Sequence, residues 1–425
     1  MFRALTVTVV GLALATSGAL GASRHDGDAA TSPVAVARGA DIAQQIAAYE
    51  AQVDRQPRNG RAWATLGHLY VEHARLEGDP TNYDKSRVAL DRALSLDPDD
   101  DLALAGRAAL SAAKHHFRQA LRDARRALAV NPYQSVALSI RIDAMTELGR
   151  YPAQLRAIAR ADDNNPGTSV LTRRSYALEL RGDLAGATRM LRKAYGLAMS
   201  PADRAYLLTQ IAELDRKAHR FGVAERHLRQ ARSADPTYVP AWASQARLAV
   251  ARGDLPDAER WWGKVAEAGP NFDSSLELGE LYAVTGRKAM AAEQFAIARE
   301  LVAAEAARGV HGELEMAQIE ADFGSLTAAL EAARKEWSRR HSVHVADALA
   351  WALYRNGHVK AALKYARTAT RLGTPEAPMW LHRGLIEASL GMDSAARRHL
   401  ARGASVDGGV RPVLAAEARA MMSRL

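Results

Sequence analysis

The 425-residue sequence contains no cysteine, only six phenylalanines, and 6% aromatic residues in all. Without cysteine there is no disulfide, no thiolate metal site, no iron–sulfur cluster and no cysteine nucleophile. The absence does not assign a compartment, because a chain with enough packed surface needs no staples. Scarce aromatics beside abundant alanine argue against an all-β fold, since alanine is the best helix former and aromatic or β-branched residues favour strands. Beyond residue 23 no hydrophobic run approaches the length of a membrane span. A shortage of acid is also present: 57 basic against 48 acidic residues leave a net charge of +9. These charges are interspersed, which reads as solvated helix faces, and no nucleic-acid partner is expected. With 48% hydrophobic and 25% charged residues the chain is not disordered. Single cores stop growing near about 250–300 residues, so the chain is either several domains or a repeat array.

The amino terminus has the order of an export signal. Arg3 precedes an uncharged stretch, residues 4–23, with Leu5, Val7, Val9, Val10, Leu12 and Leu14 as its apolar part and Ala19-Leu20-Gly21 at its end. The expectation is a signal peptide over residues 1–21, cut before Ala22, with a cut after Ala19 as second choice. The mature chain would then be exported, to the periplasm or the exterior. The alternative is an uncleaved anchor on the outer side of the cytoplasmic membrane, but Thr6, Thr8, Thr16, Ser17 and three glycines make a poor one. Residues 22–39 read as a flexible spacer.

From residue 40 onward the chain is periodic. Pro57, Pro98, Pro132, Pro166, Pro201, Pro236 and Pro270 are separated by 41, 34, 34, 35, 35 and 34 residues, the longest interval holding the extra segment 76–82. Each interval reads as helix, tight turn, helix, proline. In 271–304, Leu278, Gly279 and Tyr282 share one helical face, Gly286 stops that helix, and Ala291, Phe295 and Ala298 share a face of the next. Trp63, Leu66, Gly67 and Tyr70, followed by Ser86, Leu90, Ala93 and Pro98, occupy the same places. Small residues at mid-helix allow close crossings, large ones fill the space between units, and proline closes each unit by disfavouring helix in the residue before it. One such unit cannot bury its own apolar face, so units must stack.

These residues resemble the tetratricopeptide repeat family, over residues 40 to about 408. The resemblance implies an all-α, right-handed superhelical solenoid of antiparallel helix pairs, with about nine full repeats. The organisation expected is a first block over 40–310 with a leading helix at 40–55, a second block over 311–408, and a capping helix within 409–425, with 299–312 as a candidate hinge. The chain departs from the pattern at Arg107, where a large apolar residue is usual, at Ser175 with Arg174 beside it, and near 311–341, which lacks the closing proline.

No catalytic motif emerges. Gly149-Arg150 and Gly182-Asp183 are turns at the repeat period, not phosphate loops. His115-His116, and His341 with His344, lack further ligands at metal spacing, so no metal and no cofactor are expected. Asp99-Asp100-Asp101 reads as a helix start, and 162–165 as a linker between units. Trp262 falls in a packing slot and Trp261 beside it does not. Arg118, Arg122, Arg125 and Arg126, with Arg87 and Arg92, form a basic stripe on second helices, a solvated outer face or an attraction to anionic lipid. Membrane contact is expected only through that face or an uncleaved amino terminus.

The resemblance further implies a concave groove, lined by the first helix of each pair, that holds peptide or helix segments of partner proteins. Matched position by position, its lining is His68, Glu72, Asp143, Glu147, Tyr176, Glu179, Glu213, Arg216, Arg247, Glu280, Tyr354 and Arg355. The family's lysine–asparagine clamp for a terminal carboxylate is absent. The expected function is therefore a non-enzymatic protein-interaction scaffold outside the cytoplasm, for envelope or complex assembly. The alternatives are a carbohydrate or cell-wall binding module using the tryptophans, or a non-catalytic subunit of an enzyme or transporter complex.

Overall fold

A computed structural model describes residues 42–77, 81–407 and 411–425. The signal and spacer expected at 1–39 lie outside the described residues. Twenty-two helices and no strand occupy the described residues. The leading helix α1 (Ile42–Arg55) is followed by ten helix pairs and a final single helix. The first five pairs are α2 (Gly60–Glu77) with α3 (Asn82–Leu96), α4 (Asp101–Ala113) with α5 (Phe117–Val130), α6 (Ser135–Glu147) with α7 (Tyr151–Asn164), α8 (Thr168–Glu179) with α9 (Leu184–Gly196), and α10 (Pro201–Lys217) with α11 (Phe221–Ala234). The next five are α12 (Val239–Arg252) with α13 (Leu255–Glu267), α14 (Phe272–Val284) with α15 (Lys288–Ala306), α16 (Glu313–Phe323) with α17 (Leu326–Arg339), α18 (Val343–Arg355) with α19 (Val359–Ala369), and α20 (Ala377–Ala388) with α21 (Asp393–Asp407). The chain closes with α22 (Pro412–Met422).

Local chemistry explains the boundaries. Asp100 caps α4, its carboxylate accepting from Ala103 N–H at 2.8 Å, as the acidic run before that helix suggests. Asp183 caps α9 through Gly186 N–H at 2.7 Å. The run 162–165 is not a linker: α7 continues through Asn164, whose side chain reaches back to Pro132 O at 3.1 Å. Within eight of the pairs the turn places one residue in the left-handed region; the α16–α17 turn does not, its Gly324 being extended at φ -156°. Most of the eight use glycine at that position; His115 (φ 60°) and His219 (φ 55°) take it in theirs. Helix crossings are tight where the repeat pattern placed glycine: a Cβ on Gly67 would stand 2.6 Å from Leu90, and one on Gly384 the same distance from Leu400. The departures also have local solutions. Arg107 reaches the buried Asp123 at 2.8 Å, and Ser175 donates to Ala187 O at 2.9 Å.

The two helices of a pair live in different surroundings. Eleven of thirteen residues are buried in α6 and again in α18, against three of fourteen in α11 and three of eleven in α19. First helices thus form an inner layer, and second helices an outer layer with one wet face.

The array curls far enough to touch itself. His115 Nδ1 donates to His311 O at 2.7 Å, 196 residues away; Val343 N–H donates to the Tyr151 hydroxyl at 2.8 Å, 192 away; Thr374 Oγ1 donates to Leu180 O at 2.8 Å, 194 away. A separation this constant is a superhelical pitch: the chain returns above itself after between five and six repeat lengths. The turns inside the pairs of the first coil dock on the connections between pairs of the second. Tyr151, Leu180, Val343 and Met379 form a small apolar core across this seam. The candidate hinge lies in it, since His311 N–H donates to Lys114 O at 3.2 Å.

Candidate functional site

The expected groove residues sit on the inner layer, and most are engaged by the protein's own chain. His68 and Glu72 are buried on α2 at one end of the array. Asp143 on α6 receives two hydrogen bonds from the Arg173 guanidinium, at 2.9 and 2.6 Å. One turn on, Glu147 pairs with Arg340 across the seam. Tyr176 lies in the seam's apolar core with its hydroxyl buried and unbonded. Glu179 receives Lys217 Nζ at 2.8 Å, and the same ammonium holds Glu376 of the second coil at 2.5 Å. Glu213 and Arg216 pair with each other at 2.7 Å, both nearly inaccessible.

The remaining four lie farther along. Arg247 pairs with Glu277 at 2.8 Å and faces the Trp262 ring. Glu280 is fully buried and paired with Arg411, which also reaches Asp322 at 3.2 Å. Tyr354 stacks on Trp351 and shares a hydrogen bond with Ser389 at 3.2 Å. Arg355 approaches Glu417 on α22 at 3.6 Å. Thus α22 packs on the last pair, α20 and α21, and also lies across the inner helix α14.

These buried ions are balanced in pairs and triads. Arg340 is shared by Glu147 and Glu336. Glu336 also holds Arg339, so its pKa falls despite burial. Glu147 has only its share of one guanidinium, and burial pushes its pKa up to about 7. Glu280 follows the same logic: burial lifts it to about 7 against the pull of Arg411. Glu315 on α16 is lifted to about 7 by burial, and its Oε2 has no hydrogen-bond partner. Removing charges from water costs several kcal/mol each, so such an interior stands only while its partners stay in place.

The other candidates are separated. His341 lies against Trp337, the two rings tilted at 55° with centroids 4.4 Å apart, while His344 is buried in α18. Among the described residues no group of three or more histidine, aspartate or glutamate side chains is arranged around a metal position. Trp262 is buried, and Trp261 lies under Arg232 and Lys264 at 4.8 and 4.9 Å. The basic stripe is exposed on α3 and α5. No described helix is long and apolar enough to cross a membrane.

Arg340, Lys217, Glu376 and Arg411 were not identifiable as inner-face residues from the sequence. Each has one partner between 131 and 193 residues away, which only the tertiary fold brings near.

No family model matches the sequence, and no curated protein matches it. Solved structures do. Human IFIT1, as a dimer with m7Gppp-AAAA, is 15% identical over 78% of this chain and 77% of its own, with a TM-score of 0.50. A tetratricopeptide repeat protein from Parabacteroides merdae is 18% identical over 60% of this chain and 98% of its own, at a TM-score of 0.35. A thermophilic protein of the same repeat type from Thermus thermophilus is 21% identical over 43% of this chain and 94% of its own, at 0.38. At these identities the likeness concerns the fold alone: an all-α solenoid of tetratricopeptide-type helix pairs.

Proposed function

We propose that this tetratricopeptide-type solenoid is a non-enzymatic scaffold that binds partner proteins, working outside the cytoplasm in envelope or complex assembly. The observation that carries the reading is an asymmetry between the two edges of the first coil. The edge formed by turns within pairs is covered by the second coil. The opposite edge, formed by connections between pairs, carries Tyr133 at 66%, Leu197 at 53% and Met199 at 80% exposure, with Val130 beside Tyr133 at 49%. Large apolar side chains gathered on one edge are characteristic of protein contact, and tyrosine and methionine are favoured there.

Peptide capture by the inner layer, which the family resemblance implies, meets an obstacle. Glu280 is paired with Arg411 at the start of α22, Glu147 with Arg340 of the second coil, and Glu179 is bridged through Lys217 to Glu376 of the second coil, so a peptide there would have to displace α22 or the second coil. The exposed edge needs no such displacement. The nucleic acid in the IFIT1 structure belongs to that protein; the inner face here is rich in carboxylates, which supports a protein partner.

Crosslinking mass spectrometry on cells carrying the tagged full chain tests the reading. Crosslinks should concentrate on 131–134 and 197–200, and Tyr133→Glu with Met199→Glu should abolish partner recovery at an unchanged melting temperature. Retained recovery in that variant overturns the edge assignment. Export is tested separately by fractionation and by amino-terminal sequencing, which should begin at Ala22.

A further inference from the structure

Beside the seam is a cleft of about 390 Å³ between the α4–α5 turn, the α15–α16 connection and the end of α17. That volume lies in the range of small-molecule sites, about 300–1,000 Å³. Nine residues line it, and none is acidic. We propose that it is a binding site for a small anion of the phosphate class.

Three sets of groups converge on it. The first is the start of α5, fourteen residues long, whose opening N–H groups receive no side-chain cap. Four of the lining residues, His116 to Gln119, are that helix's start. The second is four guanidinium groups. Arg339 and Arg340 are held by Glu313, Glu336 and Glu147. Arg118 donates to Ser338 O at 3.1 Å and Arg122 to Gln119; among the described residues neither has a carboxylate within ion-pair distance. Two exposed cations without counterions, beside two whose counterions are shared, leave net positive charge for a ligand. Guanidinium matches phosphate oxygens in a two-pronged geometry.

The third set is histidine. His116 and His311 lie ring to ring at 4.3 Å, and His311 Nδ1 is buried without a hydrogen-bond partner. A buried unpaired ring nitrogen costs free energy unless something meets it. His115, left-handed at the turn within its pair, anchors the loop through His311 O. Burial lowers the pKa of His115 and His311 to about 4, with Arg340 and Arg339 contributing, and lowers His116, with Lys114 contributing. The charged groups facing these rings are Lys114, Arg339 and Arg340 against Glu313 and Glu336. The rings are therefore neutral near pH 7, and a bound anion would draw protons onto them. Because the walls come from both coils, the ligand would also fasten the coils together.

Isothermal titration of the full chain with inorganic pyrophosphate at low salt is the test. The expected result is one site that weakens as salt rises, tightens severalfold between pH 7.5 and 5.5, and takes up protons on binding. Arg118→Gln with Arg122→Gln should weaken it at least about tenfold. The pair is exposed, so the unliganded melting temperature should fall by no more than the loss of Arg118's one exposed hydrogen bond to Ser338 O accounts for. Arg125→Gln with Arg126→Gln, on the same helix but outside the cleft, should leave binding intact. Flotation with phosphatidic-acid vesicles separates two sources of the same chemistry: Arg118- and Arg122-dependent flotation assigns a lipid headgroup, and pyrophosphate binding without flotation a free ligand. No binding up to about 10 mM, or equal weakening by both arginine pairs, overturns the proposal.

Discussion

The Tyr151 hydroxyl accepts a hydrogen bond from the Val343 backbone N–H at 2.8 Å. Tyr151 opens α7 and Val343 opens α18, so a side chain of the first coil satisfies one of the free donors at the start of a helix in the second. The contact joins local helix capping to the closure of the whole array. Tyr151→Phe keeps the ring in the seam core and removes only the acceptor. It should lower stability by about 1 kcal/mol, read as a smaller urea midpoint. Hydrogen exchange should rise at 341–345 and stay unchanged in α12 and α13.

Arg340 carries more. Replacing it with methionine leaves Glu147 and Glu336 buried without their shared cation, and should cost about 3–5 kcal/mol in denaturant unfolding. Adding Glu147→Gln to Arg340→Met should recover part of the loss, because one stranded charge is then gone. Equal stability of the single and double variants would mean that the pair is not coupled.

Glycine is required at 149 for two reasons that a control can separate. Its φ is 69°, and an added Cβ would collide with the carbonyl of His341. Gly253, at φ 79°, has open space around it. Gly253→Ala should therefore cost only the left-handed strain, about 1–2 kcal/mol. Gly149→Ala should cost more and should raise exchange or proteolysis along 340–345. Calorimetry with limited proteolysis distinguishes the two.

Glu315 sets a sign for pH dependence. Its folded pKa, about 7, exceeds the ordinary 4.5 because burial disfavours its charge. Between those values the folded chain holds a proton that the unfolded chain releases, so this group's contribution falls as pH rises through the window and is lost above it. Glu315→Gln should match the wild type near pH 4.5 and be more stable at pH 8, by roughly 1–3 kcal/mol. Glu313 behaves oppositely. Hydrogen bonds from Arg339 and Lys335 outweigh its partial burial and hold it near 2, so its contribution is lost as pH falls below 4.5 toward 2. Melting temperatures at several pH values, for wild type and variant, check both limbs.

The spacing of the prolines and the small residues at crossings announced the helix pairs, because helix, turn and crossing depend on neighbours within about 34 residues. Arg107 and Ser175 looked like faults in the pattern, and each is answered within its own unit, by Asp123 and Ala187. Asn164 went the other way: a polar run before a proline looked like a linker, yet helical capping reaches through it.

The inner-face positions were legible as positions but not as contacts. Local periodicity assigns Glu147, Glu179 and Glu280 to one face of their helices. It does not say that Arg340, Lys217 and Arg411 arrive there. Lys217 comes from the next pair along, Arg411 from the start of α22 crossing α14, and Arg340 from one full superhelical turn away, an arrangement that is written in no single unit. Local pattern was enough for the repeat and its helices, and the family resemblance supplied the layer each helix joins. Closure of the array on itself, the filling of much of its inner face and the cationic cleft where its two coils meet arise only from the folded whole.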